Sequence, residues 1–243
     1  MKPLHTYLFV ISLIGASALY AQEPTTTAET EQQVTATDTL PPGEKYGLRI
    51  GTDLNKLLLT AIQDEYTGFE INGDYRFYKD FYLAAEIGNE KLLREEENIV
   101  GEGSGSYVRI GVDYNAYDNW YGMQNSIYAG LRYGFASFSQ RLDEYAVFTG
   151  TNYYGPTRIT VPIEEKGLTA GWAELVLGLE VELFANIYLG ANVSLRGMIN
   201  ETAPDQFDNL FIPGFGKTND FSNFGVGYGY SISYLIPFYK KKN

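Results

Sequence analysis

Five arginines and eight carboxylates recur at alternate positions within otherwise apolar or small segments. They are Arg49 and Asp53; Glu70, Asp74 and Arg76; Glu86; Arg109 and Asp113; Arg132; Glu174, Glu180 and Glu182; and Arg196. Two carboxyls held roughly 5–10 Å apart around a substrate can act as an acid–base pair. Alternatively, the planar fork of arginine bonds several carboxylates at once, and the set becomes a structural ion network. Glu180 and Glu182 fall on the same side of one segment, as do Glu70, Asp74 and Arg76, so the spacing suits either use. Space decides between them, because a filled interior leaves no room for a substrate and an unpaired charge inside it costs several kcal/mol. The expected role is a hydrogen-bonded network, with a narrow ion or proton path as the alternative.

The elements that position these charges are alternating segments near 46–58, 67–78, 80–89, 105–117, 123–138, 168–184, 186–197 and 222–238. The last is the clearest. Phe224, Val226, Tyr228, Tyr230, Ile232, Tyr234, Ile236 and Phe238 take every second position, with glycine and serine between most of them. Period-two alternation predicts strands. The connections at Tyr78–Asp80, Asp118–Gly122 and Phe184–Asn186 are tight. Those at 90–104, 139–167 and 198–221 are long, and that near 59–66 is intermediate. Eight strands with short turns at one end and long loops at the other predict an all-β fold: a closed, eight-stranded, antiparallel up-and-down transmembrane β-barrel over 46–239, with a filled polar lumen and both termini on the short-turn side.

A soluble exported barrel binding an apolar ligand would also alternate, with its apolar face inward. Three features favour the opposite sense. Lysine is absent from the charged strand centres, with Lys45, Lys56, Lys79, Lys91, Lys166 and Lys217 at ends or in loops. The apolar face, for example Ile127/Ala129/Leu131 and Leu175/Leu177/Leu179, carries no charge. Aromatics cluster at strand ends: Tyr46, Phe77, Phe81, Tyr117, Trp120, Tyr121, Phe184, Tyr234 and Phe238 on the turn side, and Tyr66, Phe69, Tyr107, Phe135 and Phe138 nearer the loops. Two such bands are expected at membrane interfaces. Glycines 111, 130, 134, 178, 190, 225, 227 and 229 fall mostly on the charged face, where they make room for large side chains opposite.

Residues 1–21 read as a cleaved signal peptide, with Lys2 before an apolar stretch too short to span a bilayer comfortably. Residues 22–45, rich in Thr, Glu and Pro, read as a disordered periplasmic arm. The charge is −12 at pH 7, or −13 once Lys2 is removed with the signal, which argues against nucleic acid as a partner. There is no cysteine, and His5 is the only histidine. Most zinc sites and Ser-His chemistry are thereby excluded, and no catalytic, metal or cofactor residues are assigned.

By architecture, Tyr46–Phe238 resembles the eight-stranded OmpA/OmpX-type barrels. The terminal YLIPFYKKKN resembles the aromatic-ended final strand read by the barrel-assembly machinery, with Phe238 in that role, although Tyr239 and a lysine tail follow it. YGLRIGTDLNK, GFEINGDYRFYKDFYLAAEIGNE and YVRIGVDYN resemble an uncharacterised barrel family called domain of unknown function 6048. Barrel phospholipases, lipid A palmitoyltransferases and omptin-type proteases rely on histidine, so their sites do not carry over; a carboxylate-dependent surface hydrolase remains a minor alternative.

The resemblance implies a Gram-negative outer-membrane location, with lipid, lipopolysaccharide and the assembly machinery as partners. The implied function is non-enzymatic: envelope integrity, adhesion or recognition by a monomer through its loops. Glu90, Glu95, Glu96, Glu97 and Glu102, and Glu201, Asp205, Asp208 and Asp220, are expected in solvated loops, with divalent-cation binding as the alternative. TRITVPI reads as a strand, which predicts a hairpin from 140–149 and 157–163 that either packs on itself or offers an edge to a protein partner.

Overall fold

The computed structural model describes residues 44–117, 125–147, 157–160, 162–218 and 222–241. In chain order the elements are β1 (Glu44–Asp53), α1 (Leu54–Ile62), β2 (Tyr66–Tyr78), β3 (Phe81–Glu96), β4 (Ile99–Asn115), β5 (Ser126–Val147), β6 (Thr157–Ile159), β7 (Ile163–Phe184), β8 (Ile187–Glu201), β9 (Phe211–Ile212), β10 (Gly216–Lys217) and β11 (Phe224–Lys241). Eight strands pair antiparallel around a ring in the order β1-β2-β3-β4-β5-β7-β8-β11, and β11 returns to β1. The ring therefore follows the sequence up and down. The expected signal peptide and most of the expected arm lie outside the described residues, as do the 118–122 turn and Trp120 and Tyr121; β1 already begins at Glu44, inside the expected arm.

The alternation sorts the side chains. Large apolar residues face outward, with Leu131 69% and Val226 77% exposed, whereas Glu174 is 1% and Glu70 3% exposed on the other face. Shifting one ladder by a single residue would send the charges outward, so the two-sided pattern fixes register strongly. The inward glycines admit their neighbours: a Cβ at Gly134 would strike the Trp172 indole, one at Gly178 the Tyr128 ring, and one at Gly227 the Arg196 guanidinium. Two-residue turns close β2–β3 and β7–β8, with Lys79 and Asn186 at positive φ.

Four connections differ from the sequence expectation. The first strand, expected to reach residue 58, stops at Asp53, whose side chain accepts from Lys56 N at 2.9 Å and caps α1. A helix cap followed by Leu, Lys and Ala outweighs the apolar run that also suits a strand. The expected loop at 90–104 is ladder up to the pair Glu96↔Ile99, because Gly101, Gly103 and Gly105 are strand residues leaving space for Leu210, Phe211 and Phe138. The expected loop at 139–167 is also partly ladder. β5 pairs with β7 to Leu142↔Ile163 and with β6 over Tyr145–Val147, where the predicted hairpin lies. Within the expected loop at 198–221, β8 continues to Glu201, residues 209–215 fold inward, and β9 pairs with β10.

Overpacking a well-filled interior typically costs about 1–3 kcal/mol. Gly134→Val, pushed against Trp172, is expected to destabilise the refolded protein by about that amount, read as a lower urea midpoint. Leu131→Val on the outer face should leave the midpoint nearly unchanged.

Candidate functional site

The ring interior holds a column of ion pairs in two groups, one around Arg109 and one around Arg49. Arg109 on β4 is its centre: Nη2 lies 2.6 Å from Glu70 and 2.5 Å from Glu86, and Nη1 lies 3.5 Å from Glu174. Glu86 passes to Arg132, whose Nη2 lies 2.7 Å from Asp113. Glu174 accepts from Trp172 Nε1 at 2.7 Å and lies 3.0 Å from Arg196. Arg49 pairs with Asp74 at 2.8 Å and with Glu180, between the rings of Tyr82 and Tyr188. The carboxylates come from β2, β3, β4 and β7, so the column ties opposite walls together.

At the loop end the column meets an apolar plug. Ile212 and Phe215 from the β8–β11 connection pack among Tyr107, Phe138, Leu168 and Trp172, and Phe211 is buried beside Gly103. The wall also binds the plug's main chain. Gln140 accepts from Leu210 N and Glu90 from Gly214 N, each at 2.7 Å, and Arg196 donates to Phe215 O at 2.8 Å. Ring strands thus supply the partners that a buried loop needs.

At the turn end a cavity of about 40 Å³ lies among Arg49, Asp74, Asp113, Arg132 and Glu180. That volume suits a few waters rather than an organic substrate, since one water needs roughly 10–15 Å³. Among the described residues no three carboxylates converge to hold a metal ion.

Most of the expected network is assembled here: Arg49, Glu70, Asp74, Glu86, Arg109, Asp113, Arg132, Glu174, Glu180 and Arg196. Three expected members stand apart. Asp53 caps α1, Arg76 reaches Lys79 O and Asp80 at the turn end beneath Tyr46, and Glu182 accepts from Asn186 N in the β7–β8 turn. Two further members lie outside the sequence expectation. Lys56, which reads as a strand end, points inward from α1 to Glu70 and Glu90. Glu90, expected in a solvated loop, is buried, where it also accepts from Tyr66 Oη at 2.8 Å. Glu90 continues the inward parity of Glu86 and is readable from that alone.

Phe77, Phe81, Tyr117, Phe184, Tyr234 and Phe238 face outward as expected, and so do Phe69 and Phe135. Tyr46, Tyr66, Tyr107 and Phe138 do not belong to an outer band: all four are buried inside. Phe238 is the extra residue where the β1–β11 ladder slips between Tyr46 and Gly47.

The architecture defines an all-β protein: an antiparallel up-and-down ring built around paired charges. The chain belongs to the family described as domain of unknown function DUF6048, whose model matches residues 6–241. Neither the curated proteins nor the solved structures contain a match.

Arg132→Leu strips Glu86 and Asp113 of a shared partner, and breaking a buried pair costs about 3–5 kcal/mol. The refolded variant should lose about that much stability in urea, whereas Arg141→Leu, at an exposed pair with Asp143, should leave the midpoint in place. Ile212→Ala in the plug should cost about 2–5 kcal/mol by opening a cavity.

Proposed function

We propose that this protein is a monomeric outer-membrane β-barrel with a structural or surface-interaction role, exported by a cleaved signal and inserted by the barrel-assembly machinery through its final strand and Phe238. The observation that carries the reading is the inverted distribution of polarity, with charges inside the ring and an uninterrupted apolar band outside. A water-soluble barrel would gain by burying that band at about 25 cal/mol per Å². Lipid removes the cost of leaving it out.

Further support comes from dimensions and aromatic placement. A spanning strand needs about 9–11 residues, and the ring strands run from 10 residues in β1 to 22 in β5 and β7. Outward Phe77, Phe81, Tyr234 and Phe238 mark the turn end, and Phe69, Tyr133, Phe135 and Tyr228 mark the loop end. The charged interior argues against an apolar ligand inside a soluble barrel. The filled column and the small cavity argue against a pore and against hydrolysis of a bound substrate.

In this reading the termini are periplasmic and the β3–β4 and β5–β7 extensions face outward from the cell. Their exposed surface carries paired charges such as Lys91–Glu102, Arg141–Asp143 and Arg158–Glu144. These suit contact with lipopolysaccharide headgroups or a polar protein surface.

Fractionation tests the proposal. The mature protein should sediment with the outer membrane, and an unboiled sample should migrate differently from a boiled one on a denaturing gel. Recovery in the detergent-free soluble fraction with no heat-dependent shift would sink it.

A further inference from the structure

The ring is not closed by main-chain hydrogen bonds over its full height. β1 pairs with β2 only over Leu48–Thr52 against Ile71–Tyr75, and with β11 only as far as Asp53↔Ser231. Among the described residues, 66–70 of β2 and 224–230 of β11 therefore have no strand on the β1 side, and α1 stands in the gap. Side chains replace the ladder along β2. Thr52 Oγ1 donates to Glu70 O at 2.7 Å, and Thr60 Oγ1 accepts from Gly68 N at 2.8 Å. Along β11, no hydrogen bond to α1 is present among the described residues. An open strand edge is not tolerated within hydrocarbon, so this seam belongs at the polar boundary of the outer leaflet.

The helix has the face for that position. None of its residues is buried, and Leu57, Leu58 and Ile62 are exposed on its outer side. The helix packs against β2 and β11, whose outward residues Phe69 and Ile71, and Val226, Tyr228 and Tyr230, are exposed and apolar as well. On the inner side, Lys56 latches α1 to Glu70 and Glu90. Glu90 also holds Gly214 N of the plug, so the latch joins helix and plug through one carboxylate. Gly225 and Gly227 leave the β11 side of the gap bare, with Phe215 and Arg196 directly behind them. Phe215 in turn packs edge-on against Trp172 at 5.9 Å.

We propose that α1 is a lateral hatch seated at the outer-leaflet boundary, and that its displacement exposes the packed apolar plug around Phe215 and Trp172 sideways to lipid. The proposal rests on the membrane reading above. An interfacial helix dips its apolar face about 5–10 Å into the headgroup boundary, which places Leu58 and Ile62 against acyl chains while the unpaired β11 edge stays within reach of water.

The chain has no cysteine, so single-cysteine variants carrying a nitroxide test the seat of the helix in phosphatidylcholine vesicles. Leu131→Cys on the β5 wall is the reference. Leu58→Cys and Ile62→Cys should share its preference for collision with oxygen over a water-soluble nickel chelate. If Leu131→Cys prefers oxygen and both helix sites prefer nickel, the hatch proposal falls and the barrel stands. If Leu131→Cys prefers nickel, the membrane reading falls with it. Opening is read with lipids carrying a diazirine in the tail. Relative to wild type, Lys56→Gln and Thr60→Val should raise labelling of residues 211–215 several-fold. Unchanged labelling in whichever of these variants folds overturns the hatch.

Discussion

Arg109 imposes the constraint on which the rest of the structure depends. A guanidinium buried at the centre of a closed ring must be satisfied from several directions, because desolvation otherwise exceeds what a single partner returns. Glu70, Glu86 and Glu174 come from three strands, and each is shared with a further donor: Glu70 with Tyr107 and Lys56, Glu86 with Arg132, Glu174 with Trp172 and Arg196. Glycines facing the same interior allow those long side chains to lie flat. Once the inside is committed to charge, the outside is left to carry the apolar residues. The column thus sets which solvent the outer wall requires.

The two ends of the column are finished differently. The turn end keeps a small polar cavity beside Arg49 and Arg132, while the loop end is filled by Phe211, Ile212 and Phe215. The plug is held by Glu90, Gln140 and Arg196, of which Glu90 and Arg196 also make ion pairs with the column or the helix. Packing at the loop end and electrostatics at the centre are consequently coupled, and neither can be altered without affecting the other.

The strands and the sense of the alternation are legible in the sequence because both are properties of period two. Ile127, Ala129 and Leu131 alternate with Tyr128, Gly130 and Arg132, and that segment alone separates an outer set from an inner one. The same parity places Tyr66 with Glu70, Tyr107 with Arg109 and Phe138 with Arg132, all inward. Their nearness to strand ends suggests an outer band instead, and parity is the better guide. Tyr46 breaks parity because the ladder slips beside it. Gly101 and Gly103 read as loop because glycine usually marks turns, whereas here both accommodate a plug far away in the sequence. The helix cap at Asp53 is local and readable. The burial of Phe-Ile-Pro-Gly-Phe at 211–215 depends on tertiary packing that no local pattern encodes.

The loop-end extensions leave the rim uneven. β3, β4, β5 and β7 continue past the column as ladder to Glu96↔Ile99 and Leu142↔Ile163, while β1 stops at Asp53. The rim is a parapet on one side and a sill on the other, with α1 lying along the sill. A large body approaching the rim from the high side meets the β5–β7 ladder before it reaches the plug, whereas one approaching from the low side meets α1 first. The strand lengths alone therefore give the ring a front and a back.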